Sequence, residues 1–196
     1  MNQARNVSQP IIWYQIKITE KGKVMENRYL YKAKTTPKEK GEFNNIWVIG
    51  NLIVSNGKYY IHPVGNIVNV KNEIGRIIVM HEVIPDTICQ CTGLKGKNSK
   101  LIWENDIVEL LGHRGVIKYA CGGFGIGYRK NIDWEELQDN IMRVTGCENI
   151  LYACENDNYI SLWEIYWNFN DEDDLIDTVE VIGNIFDNAE LLEITI

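Results

Sequence analysis

Short runs of β-branched and aromatic residues, each closed by a cluster of glycine, asparagine or proline, recur along most of this chain of 196 residues. That spacing is the mark of a mostly β fold, a barrel or a sandwich. Ile11–Ile18 and Val24–Ala33 flank the polar cluster Glu20–Lys23, where Gly22 can take a positive φ, and read as a hairpin. Residues 34–45 carry Pro37 and Gly41 and show no apolar period, so they read as a loop. Trp47–Val54 and Lys58–Ile61 form a second strand pair around Ser55, Asn56 and Gly57. Further short strands are expected at Ile77–Val83, Ile88–Cys91, Asp106–Leu111 and Gly115–Tyr119, the last pairing with Gly125–Tyr128 across the glycine-rich tip Cys121–Phe124.

One helix interrupts the pattern, over about residues 133–145. Trp134, Leu137, Ile141 and Val144 fall at helical spacing on one apolar face. Asp133 precedes them as N-cap with Glu136 three residues on, and Gly146 stands where a left-handed cap belongs. Residues 159–169 alternate, with Trp163, Ile165, Trp167 and Phe169 on one side and Ile160, Leu162 and Tyr166 on the other. They read as a strand covered on both faces. Asp171–Asp174 is a turn, and Val179–Phe186 the last strong strand.

Such a chain can bury a core by itself: 45% of its residues are hydrophobic and 24% charged, the balance of an ordinary globular protein. No run approaches the roughly 18 apolar residues that a bilayer requires, and Met1–Gln9 is polar without the apolar stretch of a secretory signal. A cytoplasmic protein without membrane contact is expected. The five cysteines, Cys89, Cys91, Cys121, Cys147 and Cys154, are odd in number and irregularly spaced, which favours reduced thiols over a disulfide framework.

The net charge of −7 hides a division. Residues 1–100 hold 15 Lys and Arg against 7 Asp and Glu, whereas residues 101–196 hold 5 against 20. The last quarter, with neither Lys nor Arg after Arg143, would repel a phosphate backbone, so any nucleic acid must bind the first half. The plainer consequence is that the basic and acidic halves face each other, within one chain or between neighbours, and partly cancel.

Two ordered stretches carry a family resemblance. Thr92–Gly93–Leu94–Lys95 leads through a polar turn to Glu104–Asn105–Asp106–Ile107–Val108, and residues 181–192 run from Val181–Ile182–Gly183–Asn184 to Leu191–Leu192. With the lead-in stretches Trp47–Ile53 and Ile84–Thr87, they resemble the YopX family of phage and prophage proteins from about residue 45 to the end. The sequence departs from the family pattern at Asn105, usually glycine, at Cys91, usually aromatic, and at Ala189, usually proline. Asn105 suits its place because Asn tolerates the left-handed region better than a branched residue does.

The resemblance implies a small SH3-like β-barrel over residues 92–196 and a setting in a phage or prophage. Residues 46–91 would form an N-terminal β subdomain, and residues 1–45 a hairpin and linker. No activity, and hence no catalytic residue, comes with the resemblance.

The residues offer several chemistries, each with a plainer alternative. Cys89 and Cys91, strand neighbours on one face, have the geometry of half a metal site, but no second Cys or His pair completes it, and buried free thiols are the better reading. His62, His81 and His113 lie far apart, in no hydrolase motif, although Cys89 and His81 are near enough in sequence to meet across a hairpin. The run Cys121–Gly127 lacks the Gly-Lys-Ser/Thr and following helix of a phosphate loop, and reads as a hairpin tip. Asp171–Asp174 lacks the glycine and closing glutamate of a calcium loop.

No catalytic residue, metal site or cofactor is therefore expected. The leading expectation is an accessory protein that acts by binding an unidentified host or phage protein or a second copy of itself, through Trp163, Trp167, Asp171 and Asp173 in the aromatic, acidic half. The alternative is a nucleic-acid-binding module that uses Lys17, Arg28, Lys32 and Lys34, whose neighbours Trp13, Tyr14, Tyr29 and Tyr31 can stack on bases. A hydrolase using cysteine or a metal is the third reading.

Overall fold

Three hairpins are closed by the same device, a two-residue loop with both residues at positive φ: Asn56–Gly57 (51° and 73°), Leu111–Gly112 (50° and 90°) and Cys121–Gly122 (51° and 84°). This turn matches the right-handed twist of the flanking strands, so it fixes register at three places in the chain. A computed structural model of the chain describes residues 29–37, 45–64, 67–68, 77–78, 80–146, 158–167 and 174–192. The expected first hairpin, apart from its last residues, lies outside the described residues, as do Lys17, Arg28, Asp171 and Asp173.

The described strands are β1 (Tyr31–Lys34), β2 (Trp47–Ser55), β3 (Lys58–Pro63), β4 (Ile67–Val68), β5 (Ile77–Ile78), β6 (His81–Glu82), β7 (Cys89–Lys95) and β8 (Leu101–Trp103), then β9 (Asp106–Leu110), β10 (His113–Ala120), β11 (Gly123–Gly127), β12 (Tyr159–Ser161) and β13 (Glu180–Asn184). They make a six-stranded sheet in the order β6-β3-β2-β1-β7-β8, a five-stranded sheet in the order β12-β11-β10-β9-β13, and the small pair β4-β5. Every pairing is antiparallel. The fold is mostly β, as the turn spacing predicts. Among the described residues β12 and β13 are the two edges of the five-stranded sheet and do not pair with each other, so that sheet is open.

The expected helix is present as α1 (Trp134–Thr145). The Asp133 side chain accepts from the Glu136 N–H at 3.0 Å, and Gly146, at φ 68°, donates its N–H to the Met142 carbonyl. Leu137 and Ile141 enter the larger core, with Val108, Leu110, Ile117, Ile126, Ile160, Leu162, Ile165, Leu175 and Val179.

The expected strand over residues 159–169 is only three residues long. After β12 the chain turns into α2 (Leu162–Trp167). Ser161 explains the switch: its hydroxyl oxygen accepts the Trp163 N–H at 3.2 Å, which is what an N-cap serine does. Leu162 and Ile165, three apart, are then buried together, and Trp163 and Trp167, four apart, face outward instead of being covered.

The two sheets meet where the chain passes from β8 to β9 through Glu104 and Asn105. The 91/92 division expected between subdomains falls inside β7, whose Leu94 packs in the larger core while Cys91 packs with Trp103 and Trp47 in a separate cluster.

Candidate interaction surface

The residues of the two ordered motifs come together at the joint between the sheets. Asp106 opens β9 and is paired with Asn184 of β13, so stretches about eighty residues apart in sequence lie side by side. Asp106 is 2% exposed; its Oδ1 is 2.5 Å from the Lys32 Nζ of β1, and its Oδ2 accepts the Trp103 N–H at 2.9 Å. Burial raises the Asp106 pKa, and Lys32 only partly offsets that.

Lys32 Nζ also stands 5.3 Å from the Trp47 ring and 5.5 Å from the Trp103 ring. Two residues along β1, Lys34 is paired with Asp187, whose other oxygen accepts from Trp47 Nε1 at 2.7 Å. The Lys34 ammonium holds the Asp187 carboxyl at about 2, against the opposing effect of burial, with Trp47 and Asn184 adding to the lowering. Phe186 meets Trp47 with ring centroids 5.8 Å apart, and Lys97 pairs with Glu180 at 2.5 Å.

These contacts place the nominated cations. Lys32 and Lys34 are directed at carboxylates of the acidic half, their side chains 13% and 11% exposed. Lys32–Asp106, Lys34–Asp187 and Lys97–Glu180 each join the basic first half to the acidic second half. Among the described residues, these three pairs cancel part of the charge division within the chain.

The nominated tryptophans are placed differently. Trp163 and Trp167 are each 54% exposed on the outer side of α2, and Tyr166 completes a three-ring group. Tyr166 is absent from the sequence nomination; the signal for it is helical spacing, since residues 163, 166 and 167 share a face only at a period of 3.6. The pair Trp163 and Trp167 shares a face at either period.

Cys89 and Cys91 are fully buried, and burial pushes the Cys89 thiol up to about 11 and that of Cys91 upward. Cys121 is exposed in its hairpin loop. In the glycine-rich run, a Cβ at Gly125 would stand 2.2 Å from the Tyr159 ring and 2.5 Å from the Ile160 carbonyl oxygen. That glycine makes room for Tyr159, whose hydroxyl donates within the β10–β11 hairpin, 3.0 Å from the Gly123 carbonyl oxygen and 3.3 Å from that of Ala120. Among the described residues no three His, Cys, Asp or Glu side chains gather as a metal set, and no helix is long and apolar enough to cross a membrane.

A family model described as YopX protein matches residues 23–193. The chain belongs to the YopX family. No match was found among curated proteins. The match begins upstream of residue 45, where the motifs alone placed the start of the likeness, and so takes in β1. That agrees with the position of β1 between β2 and β7, inside the six-stranded sheet.

Two of the positions read from the sequence as departures, Asn105 and Cys91, suit their places. Asn105 adopts φ 64°, the region glycine favours. Cys91, in place of an aromatic residue, is the cross-strand neighbour of Trp103, whose ring fills the same cluster.

Proposed function

We propose that the chain is a phage or prophage accessory protein of the bacterial cytoplasm that works by binding another protein, without catalysis. The observation that carries this reading is the exposed pair Trp163 and Trp167, with the half-buried Tyr166 ring packed between them and the core. Tryptophan and tyrosine dominate the binding energy of protein interfaces, because large rings bury much area at little cost in conformational entropy. The pairing of Lys32 and Lys34 with carboxylates favours a protein partner over nucleic acid, since those charges are already engaged.

Membership of the YopX family supports the phage setting. The further reading of the second half as an SH3-like barrel has support in strand order: β9, β10, β11 and β12 follow in sequence, and β13 returns to β9 directly after a 3-10 turn at Leu175–Thr178. Function on such a scaffold is set by its surface, not by its fold.

Light-scattering mass across a salt series, with and without mixed short DNA and RNA, tests the class of partner. The expected mass is indifferent to nucleic acid at every salt concentration. A rise with DNA or RNA at low salt that disappears at moderate salt would overturn the reading in favour of a nucleic-acid-binding module.

A further inference from the structure

We infer that the segment seated on the Trp163–Tyr166–Trp167 surface is cationic, an arginine- or lysine-bearing stretch of the partner protein; this rests on the binding function proposed above. Trp163 and Tyr166 stack with centroids 6.1 Å apart at 25°, and Trp167 stands edge-on to both, at 5.3 Å and 71° from Trp163 and at 5.5 Å and 84° from Tyr166. Trp163 and Trp167 are each 54% exposed, and the faces of aromatic rings carry negative potential. A cation is the ligand that such faces prefer.

The surrounding charge has the same sign. Helix α2 packs against β11, β12 and the 3-10 turn Leu175–Thr178, and the charged side chains on these elements and on the residue capping that turn are Glu164, Asp174 and Asp177. All three are carboxylates. Beyond Arg143 the sequence holds 13 Asp and Glu and no Lys or Arg, so the field over this part of the chain attracts cations and repels phosphate and acidic peptides. Arginine suits the surface best: its planar guanidinium stacks on an indole, and its aliphatic stem covers the adjoining ring.

The test uses the full chain labelled with 5-fluorotryptophan, its six tryptophan signals assigned by single Trp→Phe variants, and titrated with oligo-arginine or with oligo-glutamate of equal length. Fluorine signals of Trp163 and Trp167 are expected to shift with oligo-arginine and not with oligo-glutamate, while those of Trp103 and Trp134 stay in place. Anisotropy of the labelled arginine peptide should show affinity about tenfold weaker for the double variant Trp163→Ala/Trp167→Ala, the worth of two exposed cation–π contacts. Trp163→Phe/Trp167→Phe, which keeps rings on the same face, should retain most of it.

Equal response to both peptides, arginine-induced shifts confined to other tryptophans, or unchanged affinity in the double alanine variant would each overturn the inference. Signals of Trp163 and Trp167 that move only with protein concentration would identify a second copy as occupant, overturning the cationic partner and leaving the binding function intact. A nucleic-acid role, which would overturn the proposed function itself, would be seen separately as a salt-sensitive rise in mass with DNA or RNA.

Discussion

Removing one partner of the Lys32–Asp106 pair should destabilise the chain by far more than a surface ion pair is worth. Exposed pairs contribute about 0–1 kcal/mol because water screens them. This pair is sealed between the sheets, with side chains 13% and 3% exposed, so a single substitution leaves a charge that water hardly reaches. Lys32→Met strands a buried carboxylate, and the expected loss is about 3–5 kcal/mol. Asp106→Asn keeps an oxygen for the Trp103 N–H and leaves the ammonium facing the Trp47 and Trp103 rings, so its loss lies at the lower end, about 3 kcal/mol. For a chain of this length 3 kcal/mol lowers Tm by about 6–12 °C. The double variant Lys32→Met/Asp106→Asn, which leaves neither charge, should cost less than either single one. Urea unfolding of the four proteins gives the cycle directly. Two single losses below about 1 kcal/mol that simply add in the double variant would refute the description of a sealed electrostatic joint.

Three further outcomes follow from the same geometry. Asp187 titrates at about 2 when folded and near 3.9 when unfolded, so its stabilising contribution is complete above pH about 4 and is lost as pH falls toward 2; the stability gap between the wild type and Asp187→Asn should close over that window in acid-unfolding curves. Gly125→Ala drives a Cβ against the Tyr159 ring and the Ile160 carbonyl, and should cost about 1–3 kcal/mol by chemical denaturation, whereas Asn105→Gly, at φ 64°, should be neutral to within about 1 kcal/mol. In the folded chain, residue-resolved alkylation should modify Cys121 readily and Cys89 and Cys91 only on unfolding, since the last two are buried and the Cys89 thiol titrates near 11.

Local structure was the legible part of the sequence. Asn56–Gly57 and the Asp133, Glu136 and Gly146 caps act through neighbours a few residues away, and both the β2–β3 hairpin and α1 stand where those residues put them. Residues 159–169 misled because an even alternation of apolar side chains fits two periods over so short a run. The N-cap hydrogen bond of Ser161 decided for helix, and it reads as an ordinary serine in a string of letters.

The charge division was legible as a tendency of the two halves to cancel, but not its geometry. That Lys32 meets Asp106 and Lys34 meets Asp187 depends on β1 lying beside β7 and on β13 returning to β9, pairings separated by tens of residues. Trp163 and Trp167 were identified as a pair despite the wrong element, because a separation of four places them together on a helix or on a strand.

In the function proposed above, Trp163 and Trp167 of α2, and not the sealed joint between the sheets, meet the partner. A photo-crosslinking amino acid at position 167, compared in living bacteria with one at Tyr119, a ring 59% exposed on β10, tests it most directly. A discrete adduct of defined mass from position 167, absent from position 119 and lost when Trp163 is also replaced by alanine, is the predicted result. Equal adducts from both positions, or none from 167 while 119 yields one, would contradict it.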